Sequence, residues 1–198
     1  MPPAVVAFPR LETERLLLVV PQPSDAPRLL AYNQRNRGHL RPFSPPEPAG
    51  TSELGYWHHY VQRLHQEVAS GSSVPFRLAL RDDPAGPFIG AANLTQICRG
   101  PFAACNLGYH LDSAHVGVGL MTEALRAVIA HAFDGLALHR IMANYLPSNV
   151  RSAKVLAKLG FVIEGYAREY LFIDGRWQDH VLSSLTNRKL GEPVHSLG

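Results

Sequence analysis

Apolar residues follow two rhythms along this chain. From Arg15 to Val20 (RLLLVV) they are continuous, which predicts a buried strand stopped by Pro21 and Pro23. Helical spacing then takes over. Ser24 can cap a helix over roughly 25–36, with Pro27 in its first turn, where a missing N–H does little harm. Trp57, Tyr60, Val61, Leu64 and Val68 recur at the helical period over about 52–70, and Gly71 stands where a terminating glycine belongs. Between the two, RPFSPPEPAG (41–50) holds four prolines in ten residues and predicts a stiff, irregular loop.

The rhythm next shortens to that of strands. VPFRLAL (74–80), FIGAANLTQIC (88–98) and AACNLGYHL (103–111) predict an antiparallel meander. Beyond Gly117 and Gly119, residues Leu120, Met121, Ala124, Leu125, Val128, Ile129, Ala132 and Phe133 fall on one face of the clearest helix in the chain. RIMANYL (140–146) predicts a strand. Ser148 or Asn149 opens a shorter helix carrying Val155, Leu156 and Leu159, which Gly160 ends. FVIEG (161–165) predicts a further strand, and YLFI and RWQDHVLSSL a hairpin on Asp174-Gly175. The order predicts an α+β fold with a mixed, mostly antiparallel central sheet flanked by helices. It forms a single domain over 11–186, between an N-terminal extension (1–10) and a frayed tail (187–198). The unit at 103–146 should place two strands side by side under one helix.

Composition narrows the class. With 198 residues and 46% hydrophobic content, the chain can build one well-filled core. No apolar run approaches the roughly 18 residues of a membrane span, and the start lacks a secretory pattern, so a cytoplasmic setting is expected. Cys98 and Cys105 have no metal-site spacing and are expected to be a reduced buried pair across the Gly100-Pro101 turn. His58, His59 and His65 supply at most two ligands to one helix face, so no metal is expected. A net charge of +3 suits an anionic ligand, and Arg35, Arg37 and Arg41 read as a solvated helix end with no specific nucleic acid implied.

Candidate chemistry begins at HVGVGLMTEAL (115–125). Small residues feeding a helix N-terminus leave backbone N–H groups pointing outward, and the helix dipole adds about half a positive charge there. The spacing is neither that of a dinucleotide fold nor that of a P-loop, and the glycines alone fit a plain turn as well as an anion site.

Taken with LHRIMANYLPSNVRSAKVLAKLGFVIEG and YLFIDGRWQDHVL, the stretch GYHLDSAHVGVGLMTEAL resembles the acetyl-CoA-binding core of the GNAT N-acetyltransferases, in the RimJ/RimL branch. The likeness extends to TERLLL (13–18), LRPF (40–43) and GPFAACNLGY (100–109), covering about 11–186. It implies transfer of acetyl from acetyl-CoA, without metal, to the N-terminal alanine of a ribosomal protein, with the small subunit as the expected setting. A small amine or antibiotic as acceptor, or a CoA-binding ribosome-assembly factor, remain open alternatives.

The resemblance also implies a site. Main-chain groups of Val116, Gly117, Val118, Gly119, Leu120, Met121 and Thr122 would hold the pyrophosphate. Val116 departs from the usual basic or amide residue at its place. Leu107, Gly108 and Tyr109, on a strand splaying from RIMANYL, would face the acetyl carbonyl and pantetheine, with Asn144, Asn149 and Ser152 as further cofactor contacts. Glu164 is implied as general base and Ser152 as donor to the leaving sulfur. Tyr166, Tyr170 and Asp179 would line the acceptor groove, with the proline-rich loop 41–50 as its wall. An α-amine, with a pKa near 7.7–8.0, needs only a modest base.

Overall fold

A computed structural model describes residues 8–189. Eight strands form one sheet: β1 (Arg10–Glu12), β2 (Leu16–Val19), β3 (Val74–Leu80), β4 (Gly90–Cys98), β5 (Ala104–Leu111), β6 (Arg140–Met142), β7 (Val162–Ile173) and β8 (Arg176–Thr186). Their spatial order is β1-β2-β3-β4-β5-β6-β8-β7, and every neighbouring pair is antiparallel except β5 and β6. Helices α1 (Ala26–Leu40) and α2 (Leu54–Ala69) cover one face. On the other face, α3 (Leu120–Ala130) and α4 (Val150–Lys158) pack over the main core. This is the predicted α+β layout, with β5 and β6 side by side under α3.

Strand alternation sorts the residues between the two layers. Leu16, Leu18, Phe76, Leu78, Leu94, Cys105 and Leu107 meet Leu125, Val128 and Leu156 in the α3/α4 layer. Ala79 and Phe88 meet Leu29, Tyr32, Trp57 and Val61 in the α1/α2 layer. Truncating a fully buried leucine such as Leu125 to alanine costs about 2–5 kcal/mol.

Several details differ from the sequence reading. Ser24 does not cap α1: a 3-10 turn over Pro23–Asp25 precedes it, and the Asp25 carboxylate accepts the Gln22 N–H instead. The helix runs to Leu40, past the predicted end, because buried Asn36 and the bonded side chains of Arg35 and Arg37 anchor its last turns. Strand β6 ends at Met142, not at 146. There the chain leaves β5 while still meeting β8, through the Ala143 N–H to Ser183 O and a bridge between Tyr145 and Val181. The final strands merge into a twelve-residue β7, bulged at two places, whose turn puts Asp174 and Gly175 at φ +47° and +78°, as a tight hairpin of this hand requires. Cys105 is buried but Cys98 is exposed, and both are free thiols, so they do not form a buried pair. Order continues past Thr186: Asn187 is buried and its N–H donates to His139 O. Residues 1–7 of the expected extension and 190–198 of the expected tail lie outside the described residues, and Arg10 already belongs to β1.

Candidate active site

The parting of β5 and β6 organises the site. Their pairing stops at Asn106 and Met142, which leaves the far half of β5, from Leu107 to Leu111, without a partner on that side. Just beyond β5, Asp112 is almost fully buried and accepts from Arg35 Nε (2.6 Å), Asn36 Nδ2 (3.0 Å) and the Ala114 N–H (2.9 Å). Burial alone would raise its pKa, but the bonds from Asn36, Ala114 and Arg35 outweigh it and bring it to about 2. This carboxylate ties α1 to the strand end from which the glycine loop departs.

In that loop Gly117 and Gly119 take φ +88° and +86°, a left-handed backbone that only glycine enters without strain. Gly119 precedes α3 directly, and the first helical bond runs from the Glu123 N–H to Gly119 O. Among the described residues, no turn, loop or cap bond uses the N–H groups of 117–122. These six unspent donors, at and just before a helix N-terminus, fit a diphosphate, which satisfies them without any side chain. Leu120 and Met121 turn their side chains into the core, as does Leu107, so only their main chains are available to a ligand. Val116 also packs inward. A basic group nevertheless stands at the loop: Arg15 pairs with Glu123 (2.7 Å), donates from Nη1 to Val118 O (3.1 Å), and brings Nη2 to 3.6 Å from where a Cβ on Gly119 would lie. The sequence reading missed Arg15 because it lies about a hundred residues upstream; Glu123, inside the quoted stretch, was the available signal.

Two side chains meet across the α3/α4 face of the gap. Tyr109 Oη is 2.7 Å from Ser152 Oγ. Asn149, and not Ser152, caps α4, accepting the Ser152 N–H at 3.1 Å, so the serine hydroxyl is free of capping duty. Burial, opposed by the Ser152 bond, pushes the Tyr109 phenol up to about 12, so it stays protonated.

A cleft of about 780 Å³ lies between α1, α2 and the sheet, lined by Tyr32, Trp57, Tyr60, Arg77 and His110, with Ser44 to Glu47 forming one wall. Arg41 and Ser44 to Glu47 of the proline-rich loop thus line this cleft. The arginines expected on a solvated helix end are instead ion-paired around it: Arg35 to Asp112, Arg37 to Glu47 and Arg41 to Asp174 at 2.9 Å. Arg77, in the middle of an apolar strand, donates to Asn93 Oδ1 (2.9 Å) and Tyr60 Oη (2.6 Å). That misplaced charge in VPFRLAL was the signal for the cleft. Histidines 58, 59 and 65 are not part of it; His65 Nε2 bonds Pro21 O and His59 Nδ1 bonds Gly55 O. Among the described residues no three His, Cys, Asp or Glu side chains are grouped to hold a metal.

Glu164 lies on this same sheet face, beside Ser184, which is in register with Met142 where the strands part. It is not a free carboxylate: it pairs with Arg140, and the Ser184 hydroxyl together with that guanidinium holds its carboxyl below the usual range. The Asn144 amide is engaged at both ends, with Oδ1 accepting from the Ser183 N–H (3.3 Å) and Nδ2 donating to Tyr170 Oη (3.2 Å). Asp179 accepts from the Glu169 N–H (2.9 Å) and Tyr166 Oη (2.8 Å), fixing a bulge in which Glu169 has φ +47°. Tyr166, Tyr170 and Asp179 therefore form cross-strand polar pairs on an exposed hairpin, apart from the residues that line the cleft.

With this geometry in place, comparison with known proteins identifies relatives. Residues 15–162 match the family model described as Acetyltransferase (GNAT) domain. The chain is similar to the [ribosomal protein uS5]-alanine N-acetyltransferase of Escherichia coli, with 42% identity over 89% of this chain and 90% of that protein. The crystal structure of a ribosomal-protein-S5-alanine acetyltransferase from Vibrio fischeri superposes with a TM-score of 0.87 at 36% identity, covering 93% of this chain and 100% of that one. Mycobacterium smegmatis RimJ, solved in complex with CoA-disulfide, gives a TM-score of 0.83 at 28% identity, over 94% and 90% of the two chains.

Proposed function

The chain belongs to the GNAT acetyltransferase family, and from that premise we propose that its acceptor is the N-terminal alanine of ribosomal protein uS5. It is an acetyl-CoA-dependent N-acetyltransferase, and acetyl-CoA is its co-substrate. A ribosomal acceptor suits a cytoplasmic protein that works on the small subunit. No helix among the described residues is long and apolar enough to cross a membrane.

One observation carries the reading: the gap between β5 and β6 has the cleft on one face and the Tyr109–Ser152 pair on the other. The main-chain N–H groups of 117–122 would hold the pyrophosphate, with Arg15 supplying the positive charge that Val116 lacks. Unpaired main chain from Leu107 to Tyr109 would bind the acyl arm, and such preorganised donors favour charge developing on a carbonyl oxygen. Acetyl-CoA supplies an activated acyl group, so a neutral amine needs no covalent enzyme intermediate. Burial holds the Cys105 thiol up at about 12, which leaves it unsuited to act as a nucleophile.

The chain's own acid and base are divided between the faces. Tyr109 Oη and Ser152 Oγ share a hydrogen bond in which either can donate; with Tyr109 as donor, Ser152 hands its own proton to the leaving sulfur. On the cleft face Glu164 stays ionised and relays the ammonium's proton through water to solvent, which an α-amine with a pKa near 7.7–8.0 gives up more readily than a lysine near 10.4. Asn149 orients Ser152, while Asn144, Tyr166, Tyr170 and Asp179 set the hairpin that walls the acceptor side. Incubation with acetyl-CoA and either alanine-starting peptides or small amines tests the assignment; turnover of amines alone would overturn it.

A further inference from the structure

We infer that His110 recognises the first carbonyl of the acceptor polypeptide by donating a hydrogen bond from Nε2, and so selects a peptide N-terminus over a simple amine. This rests on the N-terminal acceptor proposed above.

The donor is fixed by its neighbour. His110 Nδ1 is 2.7 Å from Tyr32 Oη, and Tyr32 is buried. Burial, with the negative charge of Asp112 behind it, raises the phenol's pKa and keeps it protonated. Among the described residues that hydroxyl has no other hydrogen-bond partner, so its proton goes to Nδ1. A neutral imidazole that accepts at Nδ1 carries its own proton on Nε2. Burial first, then the charges of Arg77 and His39, bring the ring's pKa down to about 3, which keeps it neutral throughout the working range.

Nε2 is unspent. It bonds no described residue, and His110 is half-buried and lines the cleft. Several neighbouring donors are engaged, Arg77 with Phe76 O, Asn93 and Tyr60, Arg37 with Glu47 and Trp57 Nε1 with Thr51 O, while the Tyr60 hydroxyl, which accepts from Arg77, keeps its own proton for the cleft. His110 is two residues from Gly108, on the cleft side of the unpaired half of β5. An acceptor chain whose α-amine enters the gap carries its first carbonyl on the carbon next to the amine-bearing Cα, within reach of the strand position two residues along from Gly108 that His110 occupies. A neutral donor binds that oxygen without repelling the incoming ammonium.

The test compares an alanine-starting peptide with isopropylamine, which keeps the branched amine and lacks the carbonyl. His110→Phe should lower kcat/KM for the peptide about tenfold, mainly through KM, and leave isopropylamine and the KM for acetyl-CoA within about twofold. His110→Gln, which keeps an N–H donor, should recover most of the loss, and Tyr32→Phe, which frees the tautomer, should lose about threefold. Nitrogen NMR of the wild-type protein should show His110 as the neutral Nε2–H tautomer from about pH 5 to pH 8. Equal losses on both acceptors, no loss on the peptide, or an imidazolium or Nδ1–H signal would overturn the inference. Wild-type protein that never acetylates the peptide would instead bring down the acceptor assignment itself.

Discussion

Tyr109 Oη and Ser152 Oγ are 2.7 Å apart, joining the unpaired half of β5 to the first turn of α4. Because Asn149 does the capping, the serine hydroxyl has no structural duty beyond this bond. Ser152→Ala should lower kcat about 10- to 100-fold with little change in the KM for acetyl-CoA, the signature of a group used mainly in the transition state. Tyr109→Phe should act in the same direction and more weakly. Steady-state kinetics on an alanine-starting peptide reads both.

Glu164 is ionised well below neutral pH because the Ser184 hydroxyl and Arg140 hold its carboxyl down. The rise of kcat/KM with pH should therefore follow the acceptor's amine, near pH 7.7–8.0, and not a carboxylate. Glu164→Gln should lower kcat about tenfold or more without moving that midpoint. Arg140→Met lets the carboxyl pKa rise toward its ordinary value of about 4.3, still ionised at working pH, so activity should change only a few-fold. A pH–rate profile for each variant separates these outcomes.

The glycine loop depends on backbone conformation, not on packing. Nothing lies within 4 Å of where a Cβ on Gly117 would stand, yet its φ is +88°. Gly117→Ala and Gly119→Ala should each cost about 1–2 kcal/mol locally and weaken CoA binding about tenfold. Arg15→Ala should weaken it by a similar factor, by releasing Val118 O and removing the nearby charge. Calorimetric titration with CoA measures all three.

Asp112 predicts a stability effect with a defined sign. Its folded pKa, about 2, lies below the ordinary 3.8, so its contribution is complete above about pH 4 and is lost as pH falls toward 2. Asp112→Asn should destabilise the protein by about 2 kcal/mol at neutral pH, and the difference from wild type should shrink below pH 4. Thermal unfolding across that range reads it.

The sheet and its helices were legible because periodicity reports burial on one face at a time. The short apolar runs of β3 to β5, bounded by turn residues, and the stripe on α3 needed no long-range information. What sequence reading missed depends on tertiary partners. The early end of β6 marks where the chain parts from β5 while still meeting β8, and Cys98 is exposed at the end of β4. Glu164 was visible as a candidate, but its partner Arg140 lies across β8, which local pattern does not show. His110 and Tyr32 are separated by most of the meander and α2, so their pairing, unlike the glycine loop, left no contiguous motif.

The central claim is that this chain moves acetyl from acetyl-CoA to the α-amine of an alanine-starting ribosomal protein. Its most direct test is to incubate the purified protein and acetyl-CoA with unacetylated small-subunit proteins and locate the product by tandem mass spectrometry. The account predicts a single acetyl group on the N-terminal α-amine of uS5. Acetylation confined to lysine side chains, or none on any ribosomal protein beside rapid turnover of small amines, would contradict it.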